Sequence, residues 1–529
     1  MNADAQIRND RIVETLTGIL GKDAVITDAE ERRFYSGDVY AEGEHCAAAI
    51  KPRDKDALAK AIAAATKAGY AVIGRGGGMS YTRGYTPIRP DTITVDVGAF
   101  NRIIEINESD MYITVEAGVT WKQINDALKP KGLRLPFFGT FSGIRATVGG
   151  GLSQGALFMG TARYGQGADI VLGLEVVLAD GTLLKTGQGA FKNARPFYRT
   201  YGPDLTGLFV HDGGAFGLKT QATLKLIRAP KHSGYASFGF KGIDKASAAL
   251  SEIARSGIAE EAYIFDPETT DKNFLAVDIK EDVKTLVGVV TGQSSVSKGL
   301  IEGAKLIMAG RSFAKEGMFS LHMVAAGRAE AAVDHDIAMA REIAARFGGE
   351  EMPNSIPKAV RGDPFKPLNG VLGPRGDRWA AMNAKVPHSE AMKIISAGDA
   401  LLAPYRDRMK AMNITVSRLF IAIDSYAFSY EPVLHWDDEW LPVHRRTPEP
   451  GHLSKFKEPA ANPVARALVE EIRLAFAKMF SEHGASSNQI GKTYPYLDSL
   501  NPATAKFVRG LKSLLDPGCC LNPGVLGFK

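Results

Sequence analysis

Tyr70-Ala71-Val72-Ile73-Gly74-Arg75-Gly76-Gly77-Gly78-Met79-Ser80 is the stretch on which the fold turns. Ahead of it, Lys55 to Lys67 places Leu58, Ile62 and Ala65 on one helical face, and Gly69 ends that helix. Tyr70 to Ile73 reads as a short strand. The order is therefore helix, strand, glycine loop. Three consecutive glycines after a strand permit positive φ and let backbone approach a ligand closely. Their N–H groups can form an anion-binding nest, and Arg75 adds a charged donor suited to a diphosphate. Taken alone, the cluster is equally a plain glycine-rich turn. Neither G-x-G-x-x-G nor G-x-x-x-x-G-K-[ST] is present, so the two commonest nucleotide fingerprints are excluded.

A second cluster, Ala146-Thr147-Val148-Gly149-Gly150-Gly151, follows about 70 residues later, with Ser153 and Gly155 behind it. Between the clusters, Thr92–Val97, Ile103–Ile106 and Tyr112–Val115 read as strands. Thr120 is a plausible N-cap for a helix with Trp121, Ile124 and Leu128 on one side. Leu172–Leu178 and Thr182–Lys185 are strands joined by an Asp180-Gly181 turn. After Pro230 the glycine clusters stop, and strands alternate with helices: Tyr235–Phe240, Ile243–Arg255, Ala262–Phe265, Thr285–Val290, Ser297–Ala309, Phe319–Ala325 and Arg328–Phe347. That pattern predicts a separate α+β sheet with helices on one face. Residues 350–390 and 430–465 read as loop-rich. A helix over Pro463–Phe480 and a loop-rich tail close the chain.

The chain has 529 residues, 45% hydrophobic and 23% charged, which is globular composition. A formal net charge of +5 over this length is no nucleic-acid signature. The three cysteines, Cys46, Cys519 and Cys520, offer no disulfide framework and no zinc spacing, which fits a reducing compartment. The start lacks an apolar signal segment and no run is long enough to span a membrane, so a cytoplasmic protein is expected.

Both glycine loops and several later segments resemble the vanillyl-alcohol oxidase / p-cresol methylhydroxylase flavoprotein superfamily. Arg75–Ser80 resembles its R-G-G-G-x-S diphosphate loop. Val115–Thr120 resembles V-E-A-G-V-T, and Ala146–Gly150 resembles A-T-x-G-G. Tyr164-Gly165, Asp169 and Gly173–Gly181 resemble the Y-G…D…G-x-x-V-V-x-x-D-G stretch. Gly202–Gly217 resembles G-P-D-L-x-G-L-F…G-x-x-G, and the tail has L-D-P…L-N-P-G at Leu515–Pro517 and Leu521–Gly524.

The resemblance implies an α+β fold with a two-part FAD-binding domain of the p-cresol methylhydroxylase type and an α+β cap. Expected boundaries are 1–229 and 476–529 for the FAD domain and 230–475 for the cap. It implies FAD contacts from Arg75, Gly76, Gly77, Gly78, Met79 and Ser80. It implies further contacts from Gly84, Thr147, Gly149, Gly150 and Ser153, and from Gly214 and Asn522. Many relatives attach FAD through a His one place before the loop serine; Met79 stands there, so non-covalent FAD is expected. His211-Asp212-Gly213-Gly214 also departs from the usual acidic residue before the glycine.

The branch is open. Glu482-His483-Gly484 with Lys492 resembles the E-H-G…K of the D-lactate and glycolate dehydrogenases, which makes His483 the candidate base. The H-x-G-D-G-N-x-H metal stretch of that branch is missing. Leu174–Ala190 is closer to the aromatic-alcohol branch, yet its Tyr-Arg pair is not recognisable near Gln489. Arg378 is the candidate substrate anchor, beside Trp379, and Tyr494 the third candidate catalytic residue. Tyr81, Arg83 and Tyr85 follow the diphosphate loop, while Tyr430 and Tyr496 are further pocket candidates. Trp436–Trp440 reads as a solvated acidic loop. His388, His444 and His452 lack metal spacing, and no metal is expected.

The expected function is FAD-dependent hydride transfer from a hydroxyl-bearing carbon of a 2-hydroxy acid or aromatic alcohol, with oxygen or an acceptor protein taking the electrons. The alternatives are a 4-alkylphenol oxidase or hydroxylase feeding a cytochrome, and a non-catalytic flavin-binding module. A homodimer is common in the family.

Overall fold

The structure, a computed structural model, describes residues 3–269 and 317–528. The strand expected at 285–290 and the helix at 297–309 lie outside the described residues.

Two sheets build the N-terminal part. In the first, β1 (Val25–Ile26), β2 (Ala48–Ile50), β3 (Ala71–Arg75) and β4 (Thr92–Asp96) lie in the order β1-β2-β4-β3. β2 and β3 both run parallel to β4. Parallel strands need a long crossover, and helix Lys55–Lys67 provides it. Asp54 caps that helix by accepting from Ala57 N at 2.8 Å, and Leu58, Ile62 and Ala65 are buried as the periodicity requires. Gly69, at φ 77°, turns the chain into β3, which delivers Arg75 and the three glycines.

The second sheet contains β5 (Ile103–Asn107), β6 (Tyr112–Glu116), β8 (Val171–Val177), β9 (Leu183–Lys185) and β10 (Leu218–Lys225), in the order β5-β6-β10-β8-β9. A small ribbon pairs β7 (Leu133–Arg134) with β11 (Ile227–Arg228). Helix Trp121–Leu128 starts with a full capping box between Thr120 and Gln123 and buries Trp121, Ile124 and Leu128. The second glycine cluster is not a loop: Val148–Gln154 is a short helix capped by Thr147.

The tail returns to this part. Val72 N donates to Cys520 O at 2.8 Å and Asn522 N donates to Val72 O at 2.9 Å. The tail thereby lies on the free edge of β3, and both ends of the chain form one FAD-domain body.

The cap is one antiparallel sheet. Its strands are β12 (His232–Phe240), β13 (Glu261–Phe265), β14 (Phe319–Gly327), β15 (Glu350–Met352), β16 (Arg378–Ala381), β17 (Ala384–Pro387), β18 (Thr415–Ile423) and β19 (Ala427–Trp436). The order is β15-β12-β14-β13-β18-β19-β16, with β17 also paired to β19. Side chains alternate across a sheet. One set, including Phe238, Leu321, Ile264, Phe420, Leu434 and Trp436, packs under helices Ile243–Arg255, Glu330–Arg346, Ala391–Leu402 and Pro463–Glu482. The other set, including Phe265, Leu419, Ile421 and Val433, faces the FAD domain across a cavity.

Two sequence expectations fail here. Residues 430–465 do not begin as loop, because β19 runs through Pro432 to Trp436. A proline interrupts a central strand by removing an N–H donor. Here it falls where the neighbouring edge breaks between β16 and β17, and its carbonyl still accepts from Met382 N at 2.9 Å. Trp436–Trp440 is not a solvated loop either: Trp436, Asp438 and Trp440 are buried. Asp438 accepts bonds from Arg378, Arg466 and Trp436 Nε1, which satisfies its charge inside. The 475/476 boundary falls within helix Pro463–Glu482, whose apolar face belongs to the cap core.

Candidate active site

A cavity of about 1260 Å³ separates the FAD domain from the open face of the cap sheet. Small-ligand sites are usually ~300–1,000 Å³, so this one has room for a cofactor and a substrate. Arg75 to Ser80, Thr147, Gly149, Gly150, Ser153 and Gly214 line it, as the sequence implied. The two glycine clusters lie back to back. A Cβ on Gly76 would fall 2.3 Å from Thr147 Oγ1, and one on Gly77 would fall 2.0 Å from Arg145 O. Glycine is required there by this close approach.

Arg75 is buried, its guanidinium 4.4 Å above the Phe34 ring. Its Nε and Nη2 have no hydrogen-bond partner. Arg145 stands next to it, donating to Thr447 Oγ1 at 2.9 Å. Burial, followed by the Arg75 charge, pulls the Arg145 guanidinium below its ordinary range. Among the described residues neither guanidinium is bonded to a carboxylate. Buried cations normally have a counter-charge. Two of them beside an open glycine cradle fit an anionic diphosphate, which is the group FAD would place there.

Gly84 and Asn522 do not line the cavity. Asn522 Nδ2 donates to the carbonyls of Gly84 (2.7 Å) and Gly213 (2.6 Å), and its Oδ1 accepts from Lys492 Nζ at 2.7 Å. Asn522 ties the tail to two loops of the FAD domain. Burial brings the Lys492 ammonium down to about 7.

The candidate catalytic residues are not brought together. His483 is the C-cap of helix Pro463–Glu482 and lies away from the cavity lining. Arg378 points to the helix side of the cap sheet, bonded to Asp438 at 2.9 Å and to Tyr40 O. Its neighbour Trp379 faces the cavity, because adjacent strand residues take opposite faces. Tyr494 is buried behind the wall, its hydroxyl accepting from Asn383 N at 2.7 Å. Of the other tyrosines, Tyr81 and Tyr85 line the cavity, whereas Tyr430 is stacked on Phe420 in the cap core. His444 is also in the interior, bonded to Val39 O at 3.0 Å and lowered by burial to about 3. His452 lines the cavity. Among the described residues, no cluster of His, Cys, Asp or Glu could hold a metal.

The polar groups on the cap wall are ones the sequence reading missed. Glu431, Val433 and His435 occupy alternate positions of β19 and all face the cavity, as does Ser417 of β18. Burial raises the Glu431 carboxyl to about 7, with Asn383 pulling the other way. Tyr81 stands close by. Its hydroxyl is pushed well above its ordinary range by burial and then by the Glu431 charge, and its ring meets Trp379 edge to face at 5.2 Å. Ser80 Oγ donates to Gln489 Oε1 at 2.8 Å, joining the glycine loop to the returning segment beside this wall. The period-two spacing of Glu431, Val433 and His435 was the available signal.

A match to the FAD binding domain family covers residues 46–187. The mitochondrial D-lactate dehydrogenase [cytochrome] 1 of Saccharomyces cerevisiae is 31% identical over 278 residues, 51% of this chain and 45% of that protein. The glycolate oxidase subunit GlcD of Bacillus subtilis is 30% identical over 211 residues, 40% of this chain and 43% of that protein. The chain spans less than half the length of these curated relatives. The solved structure of p-cresol methylhydroxylase with substrate bound superposes with a TM-score of 0.76, covering 99% of this chain and 98% of that one at 17% identity. The 4-ethylphenol oxidase of Gulosibacter chungangensis gives 0.73 at 16% identity, covering 100% and 98%. Residues 46–187 carry the FAD binding domain, and the chain as a whole has the fold of p-cresol methylhydroxylase. No helix among the described residues is long and apolar enough to cross a membrane.

Proposed function

We propose that this chain is an FAD-dependent oxidoreductase that removes a hydride from a hydroxyl-bearing carbon of a small organic substrate. One observation carries the reading: a single cavity runs from the glycine cradle to a half-buried carboxyl, Glu431, on the opposite wall. FAD, when bound, supplies the hydride acceptor. Arg75 and the backbone of Gly76–Gly78 hold its diphosphate. Glu431 receives the hydroxyl proton, for which a group poised near neutral pH is best suited. Trp379, Phe265, Leu419, Ile421 and Val433 exclude water and seat the apolar part of the substrate. This replaces His483 as the candidate base. Met79, with no nucleophilic nitrogen, supports non-covalent attachment. Oxygen or an acceptor protein completes the cycle, and a cytoplasmic homodimer remains part of the proposal.

Of the two substrate classes, the wall favours an aromatic alcohol. A 2-hydroxy acid carries its carboxylate one bond from the reacting carbon, so a cation must stand beside the base. Burial raises the Glu431 carboxyl and Asn383 opposes it, and among the described residues no lysine or arginine is ion-paired with it. The D-lactate and glycolate relatives keep the acid reading in the comparison.

Glu431→Gln tests the assignment. It should retain FAD and slow flavin reduction by about 10²-fold or more. An unchanged reduction rate would remove Glu431 from the mechanism.

A further inference from the structure

Among the described residues, Phe158 is the one cavity-lining residue other than glycine that holds a positive φ. Its φ is 141°, whereas the other nine non-glycine residues at positive φ lie between 41° and 62°, in the ordinary left-handed well. Glycine would adopt this backbone cheaply, and a phenylalanine does not. The surrounding bonds impose it. Phe158 N donates to Thr161 Oγ1 at 2.9 Å, and Phe158 O accepts from Thr161 N at 3.2 Å. Thr161 O accepts from Asp424 N of the cap at 3.0 Å, and Met159 pairs with Gly139 of the FAD domain. The turn is thus tied to both domains. Strain of this kind persists where the structure over-determines it, and it gathers at ligand clamps.

The Phe158 ring has two aromatic neighbours. The Phe141 centroid stands 3.9 Å from it and the Tyr263 centroid 5.3 Å. Tyr263 is buried, whereas Phe141 is 47% exposed. Phe141, Phe158 and Phe265 line the cavity, as do Ile356 and Val360 of the helix Ser355–Gly362. Phe141 sits in a short loop whose two ends are fixed. A Cβ on Gly139 would fall 2.6 Å from Phe365 Cε1, and one on Gly143 would fall 2.4 Å from the same atom. Phe365 of the cap therefore wedges against both ends of the loop. Between those ends, the one ring contact of Phe141 among the described residues is with Phe158. The pair is asymmetric: one ring is locked by its backbone and its neighbours, and the other lies over it from the solvent side.

We propose that Phe158 is a specificity-determining residue, a rigid platform on which the substrate ring stacks, and that Phe141 covers this platform in the free protein and leaves it when the substrate binds. This rests on the reading above for the substrate class, an aromatic alcohol. Two aromatic rings in contact gain more than their buried area alone provides. A substrate ring therefore restores the contact that Phe141 gives up. A saturated ring of the same size restores only the buried area, and so does a short aliphatic acid to a smaller extent. The cover thus acts as a filter, because every ligand is measured against the ring it displaces. It also lowers the affinity of every ligand by the fraction of molecules in which the platform is covered.

The test is equilibrium binding to the FAD-loaded protein by titration calorimetry, with methoxybenzene and methoxycyclohexane as probes. The two differ in their ring, and neither has a hydroxyl-bearing carbon to be oxidised. Wild type should bind methoxybenzene more tightly by about threefold to tenfold. Phe158→Leu should lose that preference. Phe158→Gly, which removes the backbone strain along with the ring, should lose it too, so a folding defect in one variant leaves the other to decide. Phe141→Ala should keep the preference and bind both probes more tightly, by about the same factor, because no ring has to leave. Circular dichroism and bound flavin confirm the fold of each variant. Wild type that binds neither probe or does not distinguish them would overturn the proposal. So would a preference that survives in a folded Phe158 variant, or a Phe141→Ala affinity that is unchanged or weaker. A preference for methoxybenzene in a protein whose flavin no aromatic alcohol reduces would uphold the platform and end the reading above.

Discussion

Asn522 Nδ2 donates to the carbonyl of Gly84 at 2.7 Å, across 438 residues of sequence. The same amide reaches Gly213 O, and Asn522 itself holds φ 41°, a left-handed conformation that asparagine tolerates better than most residues. One side chain thus closes the FAD domain from three parts of the chain.

Asn522→Ala should therefore be costly. It leaves two buried carbonyls without their donor, at about 1–3 kcal/mol for each unsatisfied group, and leaves the Lys492 ammonium bonded to Thr86 O but not to the tail. Chemical unfolding should show a loss of several kcal/mol, and the purified variant should carry less FAD than wild type.

The glycine cradle makes a sharper steric prediction. Gly77→Ala places a methyl 2.0 Å from the Arg145 carbonyl, which is backbone and cannot step aside. The variant should purify without flavin, or fail to fold, whereas Gly214→Ala meets no atom within 4 Å and is opposed only by its φ of 78°. Absorbance of bound flavin distinguishes the two.

Glu431 predicts two pH effects of opposite kind. Only the carboxylate can accept a proton, so flavin reduction should rise as pH climbs through about 7. Stability should move the other way. The folded state keeps the proton up to about pH 7, while the unfolded chain releases it near 4.5. The contribution is fully present below 4.5 and is lost as pH rises toward 7. Glu431→Gln should remove both dependences, the first measured by rapid-mixing reduction and the second by unfolding at pH 5 and pH 8.

Arg361 holds two buried carboxylates at the domain boundary, Glu260 at 2.9 Å and Glu261 at 2.6 Å, with Arg134 as the second cation on Glu260. Arg361→Ala leaves Glu261 buried without its ion-pair partner. Removing one member of such a set costs about 3–5 kcal/mol, to be read by denaturant titration.

Much of the FAD domain was legible because its constraints are local. Gly69, the Thr120 cap and the first glycine cluster each act within a few residues, and each is where the sequence put it. The cap wall was not legible. Pro432 disguised β19 as a loop, and Glu431, His435 and Ser417 meet only through strand pairing. Arg378 and Trp379 show the same limit. The sequence marks the pair, but only the sheet decides that the tryptophan faces the cavity and the arginine faces the helices. His483 belonged to a recognisable motif, yet it stands at a helix end and does not line the cavity. His483→Ala should leave flavin reduction within about twofold of wild type, a difference small beside the ~10²-fold of a lost proton acceptor.

The most direct measurement is an anaerobic titration of the purified protein with a panel of aromatic alcohols and D-2-hydroxy acids, following the oxidised-flavin absorption band. The account predicts a yellow protein whose band bleaches with an aromatic alcohol and bleaches far more slowly in Glu431→Gln. A protein that binds no flavin, or a bound flavin that no hydroxyl-bearing compound reduces, would contradict it.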